Sequence, residues 1–167
     1  MVQLTNPNPL VELFRHNTWA TLRLLDDCAT LDEGQLDATV AGTMGSIRDT
    51  LTHIAGAEER YAARFTGQYP AEELEEIGFP GSVALRAMIE ASGAVLGAQA
   101  ATRPATEVLT LQRAGRVEQI PAGIIFIQAI NHATEHRAQI ATILTQQGIT
   151  PPEMDGWTFW EVPEAAQ

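Results

Sequence analysis

Two histidines stand four residues apart in the stretch Asn131-His132-Ala133-Thr134-Glu135-His136-Arg137. On a helix that spacing stacks two side chains on one face, with Cβ atoms roughly 5–6 Å apart, so both imidazoles can reach one cation. Ile125, Ala129, His132, His136 and Ile143 fall on one helical stripe. The pair therefore interrupts an apolar, inward-facing row, where a polar ring must find a hydrogen bond or a ligand. His53 is a third candidate, on the flank of another apolar stripe, one turn after Asp49 and one turn before Ala57. If the two helices are neighbours, three nitrogens converge.

Neutral imidazole suits Zn, Ni, Fe or Cu, and a three-histidine set leaves coordination positions for water or substrate. A cation held this way keeps its full charge; it polarises a carbonyl or lowers the pKa of a bound water or thiol. The same residues admit a second account, in which each imidazole hydrogen-bonds a carboxylate such as Glu58 or Glu135. Glu58 lies on its helix's apolar stripe about one turn after His53, and a salt bridge with an arginine is its expected role over orienting a ligand or acting as base. Glu135 and Gln139 flank the pair, as outer partners of the ligands or on a solvated face. Arg137 reads as structural or interfacial. Cys28 reads as an inert packing thiol and His16 as a surface or satisfied core residue. Trp157, Phe159 and Trp160 are expected to cap the core.

Four long segments carry helical punctuation. The first opens at Asn8-Pro9 and repeats Leu10, Leu13, Phe14, Thr18, Leu22 and Leu25. An acidic connector from about Thr30 to Met44 follows. The second begins at Ser46, with Asp49 completing a capping box; its stripe is Ile47, Leu51, Ile54, Tyr61 and Phe65, and Gly67 ends it. Gln68 to Gly81, with Pro70, Gly78 and Pro80, reads as a longer crossover. The third helix is expected from about Ser82 to Ala101, built on Val83, Leu85, Met88, Ile89, Val95 and Leu96, and Arg103-Pro104 stops it. Val108 to Gln112 and Val117 to Ile120, around Ala114-Gly115, suggest a small β-hairpin. The fourth helix runs from near Pro121 to Gly148. No linker or repeat divides residues 1–167, so an all-α four-helix bundle in a single domain is expected.

Composition narrows the chemistry. Ten basic residues stand against 21 acidic ones, a formal charge of −11, which disfavours nucleic acid and anionic lipid as partners. All ten basic residues are arginine, so neither a Schiff-base lysine nor a Walker-type phosphate loop exists. One cysteine permits no internal disulfide and no multi-thiolate metal site. Apolar residues make up 45% of the chain, the level of a globular protein. The N-terminus lacks a basic region followed by an apolar one, and Ile120 to Ile130 is too short to span a bilayer. A cytoplasmic location is expected.

The stretch Ser46-Ile47-Arg48-Asp49-Thr50-Leu51-Thr52-His53-Ile54, with Asn131 to Ile140, resembles the DinB/YfiT-like family of metal-dependent enzymes. The ending Gly148-Ile149-Thr150-Pro151-Pro152-Glu153-Met154-Asp155-Gly156-Trp157 is similar to that family's close, and the resemblance covers about residues 9–160. It implies a four-helix bundle in up-down-down-up order, often a homodimer. It also implies one divalent metal held by a histidine of the second helix and two of the fourth, here His53, His132 and His136. Zn is the first choice of ion, with Ni, Fe or Mn as alternatives. Some members are transferases or isomerases that use a low-molecular-weight thiol as cosubstrate. The function expected is therefore a metal-dependent, thiol-dependent transferase acting on a small electrophile; the alternative is a stress-associated metal- or small-molecule-binding protein without turnover.

Overall fold

A computed structural model describes residues 8–113 and 115–162. Four long helices carry the structure: α1 (Pro9–Cys28), α3 (Ile47–Thr66), α5 (Ser82–Thr102) and α6 (Ala122–Gln146). Three short ones lie between and after them, α2 (Glu33–Leu36), α4 (Leu74–Ile77) and α7 (Gly156–Glu161). β1 (Val108–Arg113) pairs antiparallel with β2 (Arg116–Pro121). Of the turn expected between these strands, Gly115 takes φ 76° and Ala114 lies outside the described residues. The punctuation acts as its chemistry requires. The Asn8 side chain accepts from the Leu10 amide, Ser46 and Asp49 close a reciprocal capping box, and Gly67 ends α3 in the left-handed region at φ 75°.

Individual contacts fix the order of helices around the bundle. Asn8 Nδ2 donates to the Ala100 carbonyl and Arg86 pairs with Asp26, so α1 and α5 are antiparallel neighbours. Phe14 meets Phe126 edge-on while Arg137 reaches Asn17, so α1 and α6 run parallel. Phe65 stacks on Phe126 and His53 faces His136, so α3 and α6 are antiparallel. Leu51 and Ile54 share a cluster with Leu85 and Ile89, and Ala62 shares one with Leu96, so α3 and α5 are parallel. The directions are up, down, down, up.

Parallel neighbours force a long return. A helix of the length of α3 is about 30 Å long, and the chain must climb back along it before α5 can start. Residues 67–81 make that climb along the flank of α3, and α4 is a single turn on the way. Arginine contacts mark the path: Arg60 pairs with Glu73 and Glu75, and farther up the Arg48 guanidinium lies over the Phe79 ring.

Two apolar clusters of the core flank a polar layer, and a third, smaller one holds Trp19, Ala20 and Phe159. Leu24, Leu25, Ile47, Leu51, Ile54, Leu85, Ile89, Ile140 and Ile143 belong to the first; Phe14, Ala62, Leu96, Phe126 and Ala129 belong to the second. Asn17, Thr21, Glu58, Ser92 and Arg137 are buried in the layer, one or more from each long helix. This layer changes two of the expected stripes. On α1 the buried row is Phe14, Asn17, Thr21, Leu24 and Cys28, and Leu13 is 48% exposed, because two polar residues occupy core positions that a search for apolar periodicity passes over. On α5 the row is Leu85, Ile89, Ser92 and Leu96, leaving Val83 85% exposed in the first turn. The expected connector between the first two helices contains α2, capped by Asp32 and Gln35. No described helix is long and apolar enough to cross a membrane.

Candidate metal centre

The antiparallel packing of α3 and α6 sets His53 opposite His132 and His136. Ring centroids lie 4.7 Å apart for His53 and His132, 4.9 Å for His53 and His136, and 4.4 Å for His132 and His136. One nitrogen from each ring lies within 4.8 Å of the others, so the three could hold a metal ion. His136 is buried and the other two are half-buried, which leaves one side of the cluster open.

Hydrogen bonds select the nitrogens that face inward. His53 Nδ1 donates to Glu75 Oε1 at 2.9 Å, which puts a proton on Nδ1 and turns Nε2 toward His132. Likewise His136 Nδ1 donates to Gln139 Oε1 at 3.0 Å, and that oxygen also accepts from the Met44 amide at 3.1 Å. Both contacts engage Nδ1 and so orient two of the three rings. His132 Nε2 lies 2.9 Å from His53 Nε2, and its Nδ1 is buried without a partner among the described residues. Burial, then the neighbouring His136 and His53, push the His132 pKa down to about 4, so this ring is neutral in the range where a ligand must be. Three imidazole nitrogens form a donor set that fits a late first-row divalent ion.

Glu75 is itself anchored. Arg60 donates to both of its oxygens, Nη1 to Oε2 at 2.7 Å and Nη2 to Oε1 at 2.6 Å. Partial burial alone would raise this carboxyl; the Arg60 fork, its own backbone amide and His53 outweigh that and hold it at about 2. Gly56 leaves the room: a Cβ there would lie 2.8 Å from Glu75 Oε2 and 3.1 Å from Leu74 Cβ.

The other expected partners take different places. Glu58 does not meet a histidine, nor does it form a direct ion pair among the described residues. It is fully buried, accepts from Asn17 Nδ2 at 2.6 Å and from Ser92 Oγ at 3.4 Å, and Asn17 Oδ1 accepts in turn from Arg137 Nη1 at 2.7 Å. Asn17 thus stands between the carboxylate and the arginine. Burial pushes Glu58 up to about 7 against those opposing pulls, and lowers Arg137 to about 10. Glu135 is exposed, whereas Gln139 is the outer partner of His136. Arg137 is buried and structural. The Cys28 thiol is packed in the core, its pKa raised by burial to about 12.

His16 is a satisfied residue: its Nε2 donates to the Met154 carbonyl at 2.8 Å, and it packs with Trp19 and Phe159. Phe159 caps the core there, but Trp157 is 78% and Trp160 42% exposed, because α7 is a single amphipathic turn that buries one ring. The residue that sequence reasoning missed is Glu75, with its anchor Arg60. It lies in an acidic run, Glu72 to Glu76, where nothing local distinguishes it from solvated neighbours.

A cleft of about 340 Å³ opens onto the cluster. His53 and His132 form one part of its wall, and Arg60, Tyr61, Arg64 and Tyr69 are among the residues that line the rest.

A family model described as the DinB family matches residues 1–165. Among solved structures, a DinB-like protein from Bacillus cereus ATCC 10987 is similar, with a TM-score of 0.65 over 90% of this chain and 99% of that one. Sequence identity is 18%, so the likeness is one of fold. No curated protein matches the chain.

Proposed function

The chain belongs to the DinB family, and from that premise we propose that it is a divalent-metal-dependent enzyme, a thiol-dependent transferase acting on a small electrophilic substrate. The observation that carries this reading is a cleft of about 340 Å³ whose wall includes two of three convergent histidines. A closed structural site would need four protein ligands and no cavity; three ligands beside an open cleft suit a site that exchanges its remaining partners.

His53, His132 and His136 would hold the ion through their Nε2 atoms, with Zn as first choice. When bound, such an ion lowers the pKa of a thiol or water at its open positions and polarises an electrophile. The protein's own share is positioning. Glu75 fixes the His53 ring, Gln139 fixes that of His136, and the aromatic wall of the cleft excludes water from one side of a bound substrate. Cys28 is no candidate nucleophile, since a thiol held at about 12 and packed in the core is protonated at neutral pH.

Tag-free protein, reconstituted with Zn, Ni, Fe or Mn, is assayed for metal content and for conjugation of small thiols to monochlorobimane. About one ion per chain, with turnover that needs the ion and disappears in His132→Ala, is the expected result. Less than a tenth of an ion per chain under all four conditions would sink the reading. One ion without turnover on any thiol would leave a metal-binding protein instead. We also propose a homodimer, supported by Ile124 and Ile127, which are both more than half exposed and one turn apart on α6. A monomer mass in sedimentation would overturn it.

A further inference from the structure

One arginine of the cleft has no carboxylate partner among the described residues. Of its two arginines, Arg60 is committed: Glu75 takes both arms of its guanidinium and Glu73 approaches it at 3.7 Å. Arg64 has no ion pair among the described residues, although the chain carries eleven net negative charges and Arg15, Arg48, Arg60, Arg86 and Arg103 each have a carboxylate partner. Its guanidinium instead lies over the Tyr61 ring, 6.0 Å from the centroid. Closing the end of α3 does not require it, since Gly67 already returns its amide to the Ala63 carbonyl at 2.8 Å.

Position gives this cation a purpose. His53, Ala57, Tyr61 and Arg64 follow one another at helical spacing on α3, and all four line the cleft. The cleft therefore runs along the helix from the histidine cluster toward Arg64, and Tyr61 is the step between them. The Tyr61 ring lies 5.8 Å from the His132 ring on one side and beneath the Arg64 guanidinium on the other. Tyr69, from the return connection, also lines the cleft, which supplies apolar, planar contact for the body of a ligand.

We infer that the cleft binds a small molecule bearing a carboxylate, which Arg64 engages while the opposite end of the molecule reaches His53 and His132. A guanidinium is a planar fork that fits a carboxylate through two parallel hydrogen bonds, and that of the half-buried Arg64 lies over the Tyr61 ring in the cleft wall. The inference rests on the proposed metal site for the molecule's reactive end; the carboxylate contact belongs to Arg64 alone.

Calorimetric titration of the zinc-loaded protein with 3-mercaptopropionate and with its neutral amide tests it. The thiol is the same in both probes, so their difference reads the carboxylate. The parent is expected to prefer the acid by about tenfold or more, in line with a charge-assisted contact of about 1.5–3 kcal/mol. Arg64→Gln should lose most of that preference while binding the amide and zinc as the parent does, and Arg64→Lys should keep part of it. Equal binding of acid and amide by the parent overturns the inference, as does a preference that survives in Arg64→Gln. Should the protein hold no zinc, the functional reading fails separately. Benzoate against benzamide then reads the Arg64 contact on the metal-free protein, with the same two outcomes.

Discussion

Glu75 accepts a 2.9 Å hydrogen bond from His53 Nδ1, although the two residues are 22 apart in sequence and Glu75 lies in a one-turn helix outside the bundle. The contact fixes which nitrogen of His53 is free, and Arg60 fixes Glu75. Outer partners of this kind contribute roughly 10–100-fold to metal affinity. Glu75→Gln should therefore weaken zinc binding by about that range without abolishing it, since an amide oxygen can still accept from Nδ1. Competition against a chelator of known affinity measures the change. An unchanged affinity would mean that the His53 ring is held by packing alone.

Ligand nitrogens and protons compete for the same lone pairs, which sets a second expectation. Zinc affinity should fall as pH drops below the unperturbed histidine value of about 6.5. Burial and the neighbouring His136 and His53 hold the His132 pKa down at about 4, so protons compete little for this ring near neutral pH. Single changes of His53, His132 or His136 to Ala should abolish most zinc binding. His16→Ala is the control: His16 spends its Nε2 on the Met154 carbonyl and should leave the affinity unchanged. Calorimetry at pH 7.5 on the four variants decides it, and a His53→Ala protein that binds as the parent does would remove α3 from the site.

The fold was legible in this sequence because its elements are punctuated locally. Asn8-Pro9, Ser46 with Asp49, and Gly67 each state a helix end within four residues, and the structure uses all of them. His132 and His136 were legible for the same reason, as a spacing on one helix. His53 needed the added assumption that α3 and α6 touch, and they do. Glu75 and Arg60 were not legible. Their pairing exists because α3 and α5 are parallel, which makes the connection climb past His53, and that is a property of topology. Glu58 falls on the apolar stripe of α3, but its partners Asn17 and Ser92 come from other helices, which no local pattern in the sequence shows.

That buried polar layer yields a pH-dependence of stability. Burial raises the folded-state pKa of Glu58 from an ordinary 4.5 to about 7. A raised carboxyl pKa means the folded state holds a proton that the unfolded state has released. Its contribution is fully present below about pH 4.5 and is lost as pH rises through 7. Glu58→Gln keeps an acceptor for Asn17 and carries no charge at any pH. Relative to the parent it should gain stability between pH 5 and pH 8 by roughly 1–3 kcal/mol. Urea unfolding of both proteins at the two pH values gives the difference. Parallel pH profiles would show that folding leaves the Glu58 pKa unchanged.

Gly56 ties packing to chemistry most directly. It sits on α3 within one turn of both His53 and Arg60, where α4 presses against the helix. A Cβ at this position would lie 2.8 Å from Glu75 Oε2, 3.1 Å from Leu74 Cβ and 3.2 Å from Arg60 Nη1. The first distance is closer than real Cβ contacts come, and the arginine cannot swing aside without releasing the carboxylate. Ala is otherwise the better helix former, worth about 1 kcal/mol over Gly in a helix interior. Gly56→Ala therefore sets two opposed effects against each other. Global stability should change little, because the helix gain offsets the displaced α4, whereas zinc affinity should fall toward that of Glu75→Gln. The double variant Gly56→Ala with Glu75→Gln should show clearly less than the sum of the two losses, since both act by breaking one contact. Additive losses in chelator competition would mean that Gly56 acts on the histidines by some route other than Glu75.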